Sequence, residues 1–247
     1  MSAMVRGGEA GMAGFFRRQP VVAAVGILAG DMLLHIGLQL GFQSALTPFW
    51  AEFAALVTLT AITMGLVAGL GWWRESGFNR PAAWRSLGLL WLPAAMIFAL
   101  PFALGFRGDE LGVAGALAAG YLLVGLREET LWRGVTLYAL RRLGPMRAAM
   151  ICGLLFGLSH LANLSFRASP AIVLAQVVGA ATGGFGYAAL RLRTNTIWPL
   201  IILHAFGDFS LHFGRLPVIP VEVARDVVLL CYGISLLWGW RGADREA

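Results

Sequence analysis

Apolar residues run along this chain in long blocks separated by short polar breaks, and the blocks approach the roughly 20 residues that a helix needs to cross about 30 Å of hydrocarbon. Eight such blocks occur, at 20–43, 49–73, 86–106, 111–140, 147–165, 170–190, 195–213 and 218–240. No polar stretch between them is long enough to form a soluble domain. The pattern predicts an all-α, polytopic membrane helix bundle of about eight transmembrane helices. It has a basic N-terminal segment at 1–19, one helical domain at 20–241 and a short tail at 242–247. Pro93 and Pro101 are expected to bend the third span, because proline lacks a backbone donor and clashes with the preceding turn. Gly153 with Gly157, and Gly179 with Gly183, form small-xxx-small faces on spans five and six that let helices approach closely.

Composition supports the membrane reading. Of the 247 residues, 58% are hydrophobic and only 13% charged, far from the balance of a soluble domain. A net charge of +6 raises nucleic acid as a partner, but the basic residues are scattered between apolar runs and form no stripe, which excludes it. Membrane topology accounts for them. Thirteen arginines fall on alternate segments (6, 17 and 18; 74, 80 and 85; 141, 142 and 147; 191 and 193; 241 and 245), and the opposite loops hold only Arg107, Arg167 and Arg215. By the positive-inside rule both termini are cytoplasmic. The first block, preceded by Arg17 and Arg18 and interrupted by Asp31 and His35, is expected to be an uncleaved span rather than a signal peptide. All nineteen basic residues are arginine, as in a GC-rich genome, pointing to a bacterial inner membrane. Trp72, Trp73, Trp84, Trp238 and Trp240 are expected to anchor at the interface. Cys152 and Cys231 lie in apolar runs, where thiols behave as small hydrophobes.

Several polar residues stand where lipid-spanning sequence should be apolar. Sixteen uncharged residues, Leu111 to Leu126, lead straight into Arg127, Glu128, Glu129 and, four residues later, Arg133. Further on come His160, four residues after Phe156, and His204, four residues before Asp208. Ionisable groups inside a span are costly and mark function by default. Glu128 and His160 each lie thirteen residues, or roughly 20 Å, from the arginine at the edge of their span. His204 and Asp208 lie roughly 16 and 22 Å from Arg193. Three helices are therefore expected to bring these groups to one level. Glu129 and Arg133, at i and i+4 with the acid first, suit an ion pair, which leaves Glu128 to face the other helices. Carboxylates and imidazoles meeting in a partly dry pocket suit activation of water and stabilisation of an oxyanion.

Taken together and in this order, Glu128-Glu129-xxx-Arg133, Phe156-xxx-His160 and His204-xxx-Asp208 resemble the CPBP family of intramembrane proteases, which includes CAAX-processing endopeptidases and bacteriocin-related immunity proteins. The resemblance covers about residues 111–213. It implies hydrolysis of peptide bonds in a membrane cavity, with Glu128 as general base aided by His160, and His204 and Asp208 supporting the oxyanion. Glu129, Arg133 and Phe156 are then supporting residues. The family often carries Asn at the last position. An ionised Asp208 cannot donate to an oxyanion, so it must be protonated, orient His204 or bind a metal. Zinc on Glu128, His160, His204 and Asp208 stays open as a cofactor, although the HExxH arrangement is absent.

The expected partners are membrane lipid and a peptide or membrane-associated protein substrate. A non-enzymatic immunity or scaffold protein and a proton-coupled transporter are the rival readings. Oligomeric state is not legible. Asp31 and His35, four apart on the first span, are expected to form a structural pair or line a cavity, and Glu222, Arg225 and Asp226 to make surface pairs at the outer end of span eight.

Overall fold

The computed structural model describes residues 11–106, 111–166, 169–215 and 217–240. Among these the chain is helical throughout, apart from loops and an isolated antiparallel bridge between Phe106 and Gly214. A short helix α1 (Met12–Arg18) precedes eight long rods. These are α2 (Pro20–Gln43), α3 (Pro48–Leu70), α4 (Trp84–Leu104), α5 (111–143), α6 (Pro145–Ser165), α7 (Pro170–Thr194), α8 (Trp198–Phe213) and α9 (Val218–Leu237). Proline opens α2, α3, α6 and α7, a position where its missing N–H would have no helical partner anyway and its fixed φ suits the first turn.

The eight rods coincide with the eight apolar blocks to within a few residues. By length and composition five of them, α2, α3, α4, α6 and α7, are apolar enough to cross a membrane. The remaining three carry more of the charged residues: Arg127, Glu128, Glu129 and Arg133 on α5, Asp208 beside His204 on α8, and Glu222, Arg225 and Asp226 on α9, while His160 lies on α6 and Asp31 and His35 on α2.

Glycine faces set how closely the rods pack. A methyl group added to Gly157 on α6 would sit 2.5 Å from the Val177 carbonyl oxygen of α7, and one on Gly153 would sit 2.7 Å from that of Ala181. The two backbones are therefore in direct contact, as the small-xxx-small pattern predicts. Gly179 and Gly183 occupy another face of α7, directed at Asp226 of α9. This corrects one expectation. Arg225 pairs with Glu222 at 2.5 Å and with Asp226 at 3.8 Å, but Asp226 is half-buried rather than a surface residue, because the absence of side chains on α7 leaves a recess for its carboxylate.

Two other stretches depart from simple rods. In α4 the helix passes through a π turn at Ala95–Ala99, between Pro93 and Pro101. Pro101 has no N–H to offer the carbonyl one turn back, and the ladder loosens there. After α3, Gly71 adopts φ 67° while its N–H bonds to the Ala68 carbonyl and that of Trp72 to Val67, the Schellman pattern that ends a helix. The chain thus folds back over α3. Trp72 is buried in an aromatic cluster, with ring centroids 5.4 Å from Phe16 and 4.7 Å from Tyr138. It is a core residue rather than an interfacial anchor, whereas Trp73, Trp84 and Trp238 are exposed.

The contact between α6 and α7 gives a direct test. Replacing Gly157 by Val should destabilise the protein by about 1–3 kcal/mol or more through overpacking. Gly120→Ala, where the added methyl meets nothing within 4 Å, should be tolerated. Thermal unfolding in detergent would reveal the difference, and equal midpoints for the two variants would refute the close approach.

Candidate active site

Helix α5 changes character where the charges begin. Its regular α-helical part ends at Glu128, and Glu129–Thr136 form a π-helical turn in which every residue is buried. The Thr136 hydroxyl donates to the Leu131 carbonyl five residues back at 2.8 Å, completing the wider turn from a side chain. Turns of this kind concentrate at functional sites because they re-aim side chains within a continuous helix.

Glu129 is fully buried. Its Oε1 lies 3.0 Å from the Arg133 guanidinium, forming the expected i, i+4 pair. The pair is not closed, however, since the same oxygen accepts a hydrogen bond from His204 Nδ1 at 2.7 Å, tying α5 to α8. Oε2 is buried with no hydrogen-bond partner among the described residues. Arg133 stacks its guanidinium 4.1 Å above the Phe156 ring of α6 and 5.6 Å from that of Tyr187 on α7, a cation–π arrangement that suits a desolvated arginine.

Glu128, one residue earlier and rotated by about 100° around the helix, reaches a different environment. Its side chain is 17% exposed, with Oε2 3.6 Å from His204 Nε2 and Oε1 3.5 Å from the Arg127 guanidinium. Glu128 thus faces α8 as the spacing predicts, but it is accompanied rather than free. His204 Nε2 also lies 3.5 Å from Asp208 Oδ2, on the same face of α8. Both separations are long for hydrogen bonds. Asp208 is the most open member, its side chain 34% exposed.

His160 stands where α6 tightens into a 3₁₀ turn over His160–Ser165. Its Nδ1 is 2.9 Å from the Phe156 carbonyl oxygen and must donate to it, which leaves Nε2 as an acceptor in the neutral ring. The ring packs edge-on against Phe156 at 4.9 Å and lies within electrostatic range of Asp208. Phe156 also borders His204, at 6.4 Å. The three motifs read from sequence therefore meet around Phe156, Glu129 and His204.

Asp31 and His35 do not pair with each other as expected. Asp31 forms a short ion pair with Arg127, and His35 stacks on Phe166 at 6.0 Å. The reason is that α2 runs alongside α5 and α6, so each side chain finds a partner on another helix. Arg127 and Tyr187 are the contributors that sequence reasoning passed over. Arg127 was signalled by its position beside the Glu pair, whereas Tyr187 carries no polar motif.

No three His, Cys, Asp or Glu side chains among the described residues are grouped so as to hold a metal ion. His204 Nδ1 is engaged by Glu129 and His160 Nδ1 by a carbonyl.

No curated protein matches the chain. Residues 110–210 match the family model described as Rce1-like, type II CAAX prenyl endopeptidase Rce1-like, and that stretch contains Glu128, Glu129, Arg133, Phe156, His160, His204 and Asp208. Over residues 110–210 the chain is therefore similar to the Rce1-like type II CAAX prenyl endopeptidases, in agreement with the CAAX-protease resemblance of its sequence motifs.

Proposed function

We propose that the protein is an intramembrane endopeptidase that hydrolyses peptide bonds of membrane-associated peptides or protein tails with a water activated by Glu128. In this reading all eight rods span a bacterial inner membrane, with both termini cytoplasmic. The observation that carries it is the meeting of Glu128 Oε2 and Asp208 Oδ2 at one atom, His204 Nε2, at 3.6 and 3.5 Å. A single water set beside this cluster can hydrogen-bond to these groups at once.

Glu128 takes a proton from that water as its oxygen attacks the scissile carbonyl carbon, and the carbonyl π pair moves onto oxygen. Collapse of the tetrahedral intermediate breaks the C–N bond, and the Glu128 carboxyl returns the proton to the leaving nitrogen. Neutral His160, with its Nδ1 proton committed to a carbonyl, accepts from the water at Nε2 and orients it. His204 is held by Glu129 at Nδ1 and, when protonated at Nε2, donates to the oxyanion. Asp208 aligns that imidazole from the next turn, the role left to an ionised carboxylate at this position.

Glu128→Gln should lower turnover by about 10²–10⁴-fold, the usual worth of a general base. Cleavage of a library of lipid-anchored peptides by the purified protein in detergent, read by mass spectrometry, checks this. Full activity of the variant would sink the assignment, and an inert wild type would favour the scaffold or transporter readings. Activity should also survive chelators in protein that carries no stoichiometric zinc. Loss of activity on chelation, restored by added zinc, would replace the glutamate mechanism with a metal one.

A further inference from the structure

Arg127 lies beside Glu128 yet turns its guanidinium mainly away from it. Its closest partner is Asp31 of α2, ninety-six residues earlier in the chain, and Glu128 Oε1 stands farther off at 3.5 Å. Both members of the ion pair are nearly sealed from solvent, with side-chain exposures of 6% and 9%. Asp31 also falls outside the stretch that matches the family. We propose that Asp31 and Arg127 form a positioning clamp that fixes one oxygen of the Glu128 carboxylate and leaves the other for the attacking water. The proposal rests on the reading of Glu128 as the water-activating base.

Two observations separate a clamp from a structural strut. The first is the order of distances. An arginine without another anion beside it would close on Glu128 as a tight, bidentate pair and occupy the carboxylate that must take up a proton. Asp31 draws the guanidinium off, so that Arg127 restrains Oε1 without neutralising Glu128 outright, while Oε2 faces His204. The second is the packing of α2. Its buried residues are Ala23, Ala24 and Gln39, and none of residues 25–38 between them is fully buried. Ile27 and Leu28 pack partly buried against the core, but no described side chain of 29–38 joins it, so around Asp31 apolar contact does little to set this helix against α5. The ion pair does that, and it does so next to Glu128.

Asp31 and Arg127 touch no reacting atom in this arrangement, so both are positioning residues. Losing Asp31 releases Arg127 onto Glu128. Losing Arg127 leaves two neighbouring carboxylates without the cation between them and frees Oε1 to rotate. Either change should act on the chemical step rather than on substrate affinity.

The test uses the full-length protein in detergent and the best-cleaved lipid-anchored peptide, with kcat, KM and unfolding temperature measured for each variant. Asp31→Asn and Arg127→Gln should each lower kcat by roughly tenfold or more, with KM within about threefold. Arg127→Lys, which keeps the charge, should recover most of the loss. The exchange Asp31→Arg with Arg127→Asp decides between the two roles, and remains decisive if Asp31→Asn fails to fold. It rebuilds the bond between α2 and α5 but sets an acid beside Glu128, so stability should return while kcat stays low. Recovery of both would show a strut and overturn the clamp, as would Asp31→Asn turning over at the wild-type rate. If Glu128→Gln is inactive while Asp31→Asn is fully active, only the clamp fails. If Glu128→Gln is itself active, or the wild type cleaves nothing, the base assignment fails and the clamp goes with it.

Discussion

The Glu129 carboxylate is the point on which the interior of this bundle depends. A charge with no exposure to water is tolerated only when it is paired and hydrogen-bonded, and Glu129 meets that demand through Oε1, with groups from its own helix and from another, while Oε2 has no hydrogen-bond partner among the described residues. Arg133 answers from one turn along α5, and His204 from α8. Arg133 in turn lies over Phe156 of α6 and near Tyr187 of α7. One buried acid therefore fixes the relative positions of four helices. Removing a single partner from such an arrangement is far more damaging than its net worth suggests, because an uncompensated charge stays behind.

The close helix contacts serve the same centre from outside. Gly153 and Gly157 bring α6 onto α7, and Gly125 brings α5 within direct backbone contact of Ile201 on α8. These approaches shorten the distance that Phe156, Arg133 and His204 must cover to meet. A bulkier face would move each side chain outward along with its backbone and open the Glu129–His204 bond first, since at 2.7 Å it has little slack. The apolar packing and the polar centre are thus one constraint seen at two ranges.

Much of this was legible in the sequence because it depends on spacing within one helix. Eight apolar blocks became eight rods, and the spacings Glu129–Arg133, Phe156–His160 and His204–Asp208 placed each pair on a common face. What was not legible depends on how separate helices lie against each other. Asp31 offered a partner four residues away in His35 and took Arg127 instead. Trp72 stood among interfacial tryptophans and was folded into the core by the turn at Gly71. Asp226 reads as a surface charge and is half-buried against the glycine recess on α7. The π turn at Glu129–Thr136 also left no mark in the periodicity, since it lies in the backbone hydrogen bonding, to which the Thr136 hydroxyl adds a bond to the Leu131 carbonyl.

Two adjacent residues of one type come to differ completely through their environment. Glu129 begins the π turn, is sealed from solvent, and has its Oε1 bound by a cation and an imidazole. Glu128 ends the regular helix, points about 100° away, and keeps 17% of its side chain exposed towards His204 and the more open Asp208. A carboxylate that must take a proton from water needs access to water and an oxygen not already engaged, and Glu129 lacks that access. Exchange of positions is blocked by the geometry itself, because a turn of α5 that brought Glu129 to the place of Glu128 would carry Arg133 off Phe156 and release His204. The structure can place a water-facing acid beside a sealed one only because the sealed one holds the helix still.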